Sequence, residues 1–112
     1  MMDWVLSICS AMGRVKGVDQ YILVDSRGNI LAHQMEKPES ISPLVHSCGR
    51  RLSALGGENF IHAVFLRKNN RNLLIFPVGI YHLGVIKQAG MENAQVADAV
   101  MECLNRHSAK GA

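Results

Sequence analysis

A chain of 112 residues can form one domain with its own core and is too short for two. With 48% apolar and 19% charged residues it has ordinary globular composition, which excludes the disordered class. The net charge of +3 is mild and the 12 basic residues are scattered, which argues against a nucleic-acid binder; Arg50-Arg51 and Arg67-Lys68 with Arg71 are the clusters.

Asp3 caps a first helix in which Trp4, Val5, Ile8, Met12 and Val15 form one apolar stripe, with Gly17 ending the segment. The run Val18 to Asp25 follows, then the turn Asp25-Ser26-Arg27-Gly28-Asn29 and a second strand, Ile30 to Gln34. Asp at the start of such a turn and Gly at the residue needing positive φ specify a tight antiparallel hairpin. A polar stretch leads into a second helix, with Ser42 or Ser40 as N-cap and Pro43 at the first helical position. Ile41, Leu44, Val45, Cys48, Leu52 and Leu55 fall on one face, and Gly56-Gly57 stops the helix.

The apolar segment Phe60 to Leu66 reads as a third strand, Arg67 to Asn72 as a polar turn, and Leu73 to Val78 as a fourth strand. Gly79 makes a short connection to a fifth, Tyr81 to Lys87. Pro77 belongs at a strand end or bulge, and Gly84 marks a bend or a close backbone approach. A third helix carries Ala94, Ala97, Val100, Met101 and Leu104 on one face, with Glu102 and Arg106 as an i,i+4 pair. The expectation is an α/β chain of the α+β type, with a five-stranded antiparallel sheet in the order α-β-β-α-β-β-β-α. A single domain covers residues 1–107, and residues 108–112 form a frayed tail.

The search for chemistry is largely negative, and no enzyme is expected. His33, His62 and His82 fall on three strands, while His46 and His107 are helical; no pair has metal-ligand spacing, although a sheet could bring the strand histidines together. Cys9, Cys48 and Cys103, one per helix and without a CxxC, border apolar faces and lack the electropositive setting that activates a thiol. Asp25 is placed to hydrogen-bond its own turn. There is no phosphate-cradling loop and no nucleophile elbow. No metal, cofactor or catalytic residue is expected. Reduced cysteines, the absence of an apolar run near the ~18 residues of a membrane span, and nothing resembling a signal peptide indicate a cytoplasmic protein.

Two features invite a partner. At 100° per residue the second helix presents Pro43, His46, Ser47, Arg50, Ser53 and Ala54 opposite its apolar stripe, a small-residue face without Glu or Lys. An ordinary solvated surface is the competing reading. The strand Phe60 to Leu66 lacks an upstream hairpin partner, and Ile61-His62-Ala63-Val64-Phe65 carries neither Pro nor charge to protect an edge. Together they point to a homodimer built by edge-to-edge strand pairing, unless another strand covers that edge.

Val15-Lys16-Gly17-Val18 entering Tyr21 to Asp25, the Asp-x-x-Gly-x-x-Leu-Ala hairpin of residues 25–32, Leu73 to Gly79, and Leu83-Gly84-Val85-Ile86 form an ordered set. It resembles the Roadblock/dynein light chain family, including bacterial gliding-motility GTPase regulators, over roughly residues 3–105. The resemblance implies a Roadblock fold and homo- or paralogue heterodimerisation through Phe60, Ile61, His62, Ala63, Val64, Phe65 and Leu66 with Ala54 of the helix. It further implies a non-catalytic platform for a small Ras-like GTPase, whose expected contacts are Pro43, His46, Ser47, Arg50, Arg51 and Ser53. Similar bacterial proteins promote hydrolysis by reshaping the GTPase, which argues against Arg50 or Arg51 as an arginine finger. The alternative functional reading is a small-molecule-sensing or scaffold domain of a signalling assembly.

Overall fold

A computed structural model of the chain describes residues 2–56, 65–68 and 71–111, with side-chain surroundings for 6–51 and 72–106. The elements are α1 (Met2–Met12), β1 (Val18–Val24), β2 (Ile30–Gln34), α2 (Pro38–Gly56), β3 (Phe65–Lys68), β4 (Arg71–Val78), β5 (Tyr81–Lys87) and α3 (Asn93–Gly111). The strands form one sheet in the order β2-β1-β5-β4-β3, every neighbouring pair antiparallel.

Because strand side chains alternate in direction, each face of this sheet needs its own cover. Leu23, Leu74, Phe76, Leu83 and Val85 point to one face and pack with Ile8, Cys9 and Met12 of α1 and Val96, Ala97, Val100, Cys103 and Leu104 of α3. Ile22, Val24, Leu73, Ile75 and Ile86 point to the other, where Val45 of α2 is fully buried among them. The result is three layers, with α1 and α3 on one side and α2 on the other.

Asp25 organises the β1–β2 turn as its position in the sequence demands. Its carboxylate accepts hydrogen bonds from the Arg27 and Asn29 amides at 2.9 and 2.8 Å, and Gly28 takes φ +87°. Val24 pairs with Ile30 but Leu23 with Ala32, so Leu31 is the extra residue of a bulge just beyond the turn. The Asn29 and Arg27 backbone bonds hold the Asp25 carboxyl below the usual carboxylate range.

Several expected boundaries move. α2 begins at Pro38, not at Ser42 or Pro43, because Pro38 takes the first helical position and Pro43 is carried inside the helix. Ser42 is therefore buried in the helix and is not its cap. The polar turn expected over 67–72 is shorter: Arg67 pairs with Asn72 and Lys68 with Arg71, so all four belong to strands. Antiparallel register extends the ladder through polar residues whose composition alone reads as loop. On α3 the buried line is Val96, Ala97, Val100, Cys103 and Leu104, while Ala94 is exposed and Met101 half-buried. The helix starts at Asn93, whose side-chain oxygen accepts a hydrogen bond from Asn72 at 3.1 Å.

Candidate functional site

The surface expected to bind a partner is built on α2, and its orientation follows from two glycines. A Cβ added at Gly84, in the middle of β5, would lie 2.6 Å from a Val45 methyl and 3.1 Å from Ile22. A Cβ at Gly49 would lie 2.5 Å from the His82 ring. The helix thus approaches the sheet more closely than side-chain-bearing positions would permit. It touches down on the line Ser42, Val45, Gly49, which advances along the helix at 300° and 400° per step.

This contact rotates α2 relative to its apolar stripe. Ile41, Leu44 and Cys48 pack against the second core only from one flank and remain half-buried. Leu52 and Leu55 lie outside the described side chains. His46 turns inward on the other flank, where its ring backs onto Gly28 of the hairpin, 3.0 Å from a would-be Cβ. Of the residues expected to contact a partner, Pro43, Ser47, Arg50 and Arg51 are exposed and His46 is half-buried. His46, Ser47, Arg50 and Arg51 line one shallow groove of about 440 Å³. Ser53 and Ala54 fall within α2, but their side chains lie outside the described residues, as do Phe60, Ile61, His62, Ala63 and Val64 altogether. Phe65 and Leu66 lie in β3, one of the two outer strands among those described, pairing with Leu74 and Leu73.

Sequence reasoning places His82 on a strand as a surface or half-buried histidine and does not anticipate its burial under α2. His82 pairs with Val24 and Pro77 in the sheet and is 6% exposed beneath Gly49. Burial, and then the neighbouring His46 charge, push its pKa below the ordinary histidine value, against an opposing hydrogen bond with the Gly49 backbone. A polar residue alternating with apolar ones in a strand looks solvent-facing. The signal for burial was Gly84, two residues on along the same face of β5.

Among the described residues no cluster of three His, Cys, Asp or Glu side chains could hold a metal ion. Burial raises the thiol pKa of Cys9 and Cys103, away from nucleophilic thiolates. No described helix is long and apolar enough to cross a membrane. The surface consists of an exposed, cationic helix face, a half-exposed apolar flank and an outer strand.

A three-layer α+β domain with two helices on one sheet face and one on the other is the class defined by this geometry. No family model matches the chain, and no curated protein matches its sequence. Solved structures do match in fold. MglB of Myxococcus xanthus is 17% identical, with 98% of this chain and 88% of that chain covered at a TM-score of 0.70. The Roadblock/LC7 domain from Streptomyces avermitilis is 15% identical, with 90% and 92% covered at 0.66. A Schizosaccharomyces pombe profilin is 10% identical, with 97% and 99% covered at 0.68. The chain has the Roadblock/LC7 fold, an architecture that profilin approaches to a similar degree.

Proposed function

We propose that this chain is a non-catalytic, dimeric adaptor or regulator that binds a small Ras-like GTPase and modulates its nucleotide cycle. The observation that carries the reading is the pairing, on a Roadblock/LC7 fold, of an outer strand with a helix whose apolar flank is only half covered. An edge strand offers unpaired backbone groups to a second copy. Ile41, Leu44 and Cys48 offer apolar area that a second copy or a partner would remove from water. In this reading dimerisation runs through Phe60, Ile61, His62, Ala63, Val64, Phe65 and Leu66 with Ala54 of α2.

On the cationic face of α2, Pro43, His46, Ser47, Arg50, Arg51 and Ser53 form the docking surface for the GTPase. Their charge favours association with an acidic partner surface and sets its rate and salt dependence more than its ultimate affinity. The competing reading, a small-molecule sensor, needs an enclosed apolar cavity. Among the described residues, the groove on α2 and the one between α1 and α3 are both lined by charged side chains.

The test is capture of a panel of small Ras-like GTPases, each loaded with GDP or with a non-hydrolysable GTP analogue. Nucleotide-dependent capture that Arg50→Glu weakens about tenfold, with unchanged thermal unfolding, supports the docking face. Capture insensitive to both nucleotide and Arg50→Glu contradicts it.

A further inference from the structure

The face opposite α2 carries a second groove that the proposed GTPase-binding function does not use. It lies between α1 and α3, holds about 470 Å³, and has two chemically distinct parts. Its floor is Ala11, Val15, Ala99 and Cys103, small or apolar side chains that are buried or half-buried. Burial raises the pKa of the Cys103 thiol, so the floor is neutral. Its rim is Arg14 and Lys16 just beyond α1, with Glu102 and Arg106 on α3, and all four are exposed. Glu102 stands 3.6 Å from Arg106, which leaves Arg14 and Lys16 as the cations of the rim without a carboxylate among the groove's lining residues.

We propose that this groove is a docking site for a short acidic segment of a partner protein, which seats apolar side chains on the alanine floor and carboxylates on Arg14 and Lys16. The inference goes beyond the proposed GTPase-binding role and uses the other side of the sheet. The volume falls within the ~300–1,000 Å³ of ordinary ligand sites, and two alanines in the floor allow a peptide backbone to come close. A second copy of the chain is the competing occupant, since an isologous contact pairs different residues across its axis and Glu102 lies in the same lining as Arg14 and Lys16; solution mass separates it from a peptide. Nucleic acid fits less well than protein. The lining has no aromatic side chain for base stacking, and it carries a carboxylate.

Arg14 and Lys16 also lie at the carbonyl end of α1, where cations offset the helix dipole. That role alone predicts an effect on folding and none on binding, so the two are separable. The experiment selects a random 16-residue peptide library on phage against the full chain, and again against Arg14→Glu/Lys16→Glu. In parallel it measures the thermal unfolding and solution mass of both proteins and titrates each with a 20-nucleotide oligothymidine.

The expected result is a consensus in which Asp or Glu flanks apolar residues. The selected peptide should bind the double variant at least tenfold more weakly and lose affinity with salt. Ala99→Trp, which fills the floor without changing charge, should abolish the same binding while the oligomeric state stays constant. A consensus without acidic residues, no consensus at all, or one that survives charge reversal overturns the proposal. So does oligothymidine binding without peptide binding, or a change of oligomeric state in the double variant. Lowered stability with unchanged peptide binding assigns Arg14 and Lys16 to α1 alone and equally overturns it.

Discussion

Gly84 and Gly49 fix how α2 meets the sheet, and each makes a prediction whose sign opposes intrinsic propensity. At an unstrained position, replacing Gly by Ala stabilises by about 0.4–1 kcal/mol through the unfolded chain. At Gly84 the added methyl would sit 2.6 Å from Val45 inside a close-packed layer. Gly84→Ala is therefore expected to destabilise by roughly 1–3 kcal/mol in denaturant titration, the ordinary cost of overpacking. A neutral or stabilising result would mean that α2 rides higher above β5 than described. His82, beneath Gly49, makes the second residue-scale prediction. Its folded pKa is depressed below 6.5, chiefly by burial and then by His46, so the unfolded chain binds more protons in the interval between the two values. Stability from this residue is fully present above about 6.5 and is lost as pH falls through that interval. Denaturation midpoints measured across it should drop with falling pH, and His82→Gln should flatten the slope. A slope unchanged by that substitution would place the titrating group elsewhere.

At the scale of elements, the periodic signals were legible where local chemistry is self-sufficient. The β1–β2 turn is an example: Asp25 and Gly28 supply their own hydrogen bonds and φ, so four letters of sequence suffice. α2 was read less well for two physical reasons. Helix-start signals were duplicated, with Ser40, Ser42 and Pro43 all plausible, and Pro38 prevailed because nothing before Pro43 breaks the helix. Its rotation, in turn, depends on Gly84 from a strand about forty residues away, a long-range packing fact that no helical wheel contains. The burial of Ser42 and Gly49 in place of Leu44 and Cys48 follows from that contact. Pro43 inside α2 has no N–H to give the Glu39 carbonyl, and its ring crowds that group. Pro43→Ala should therefore raise stability by roughly 1–3 kcal/mol while preserving helicity by circular dichroism. If stability falls, the helix does not run unbroken from Pro38.

For the whole molecule, the sheet order leaves β3 and β2 as its outer strands among those described, and only β3 continues from a segment, Phe60 to Val64, without charge or proline. The likeness to a profilin as well as to Roadblock/LC7 structures shows why fold alone cannot name a partner: one architecture supports unrelated sites. The candidate site was only partly legible in the sequence. Pro43, Ser47 and Arg50, expected opposite the apolar stripe, are exposed, whereas helical phase alone sets Arg51 beside that stripe. His46 was turned inward by the hairpin, a contact between separate elements. The central claim, an interaction platform built from two copies, rests on the solution mass of the protein. Light scattering across a hundredfold range of concentration should give twice the 12.3 kDa of one chain, and Val64→Asp should reduce it to a single chain that remains folded. A wild-type protein that stays at 12.3 kDa throughout, or a Val64→Asp variant that remains dimeric, would contradict the account.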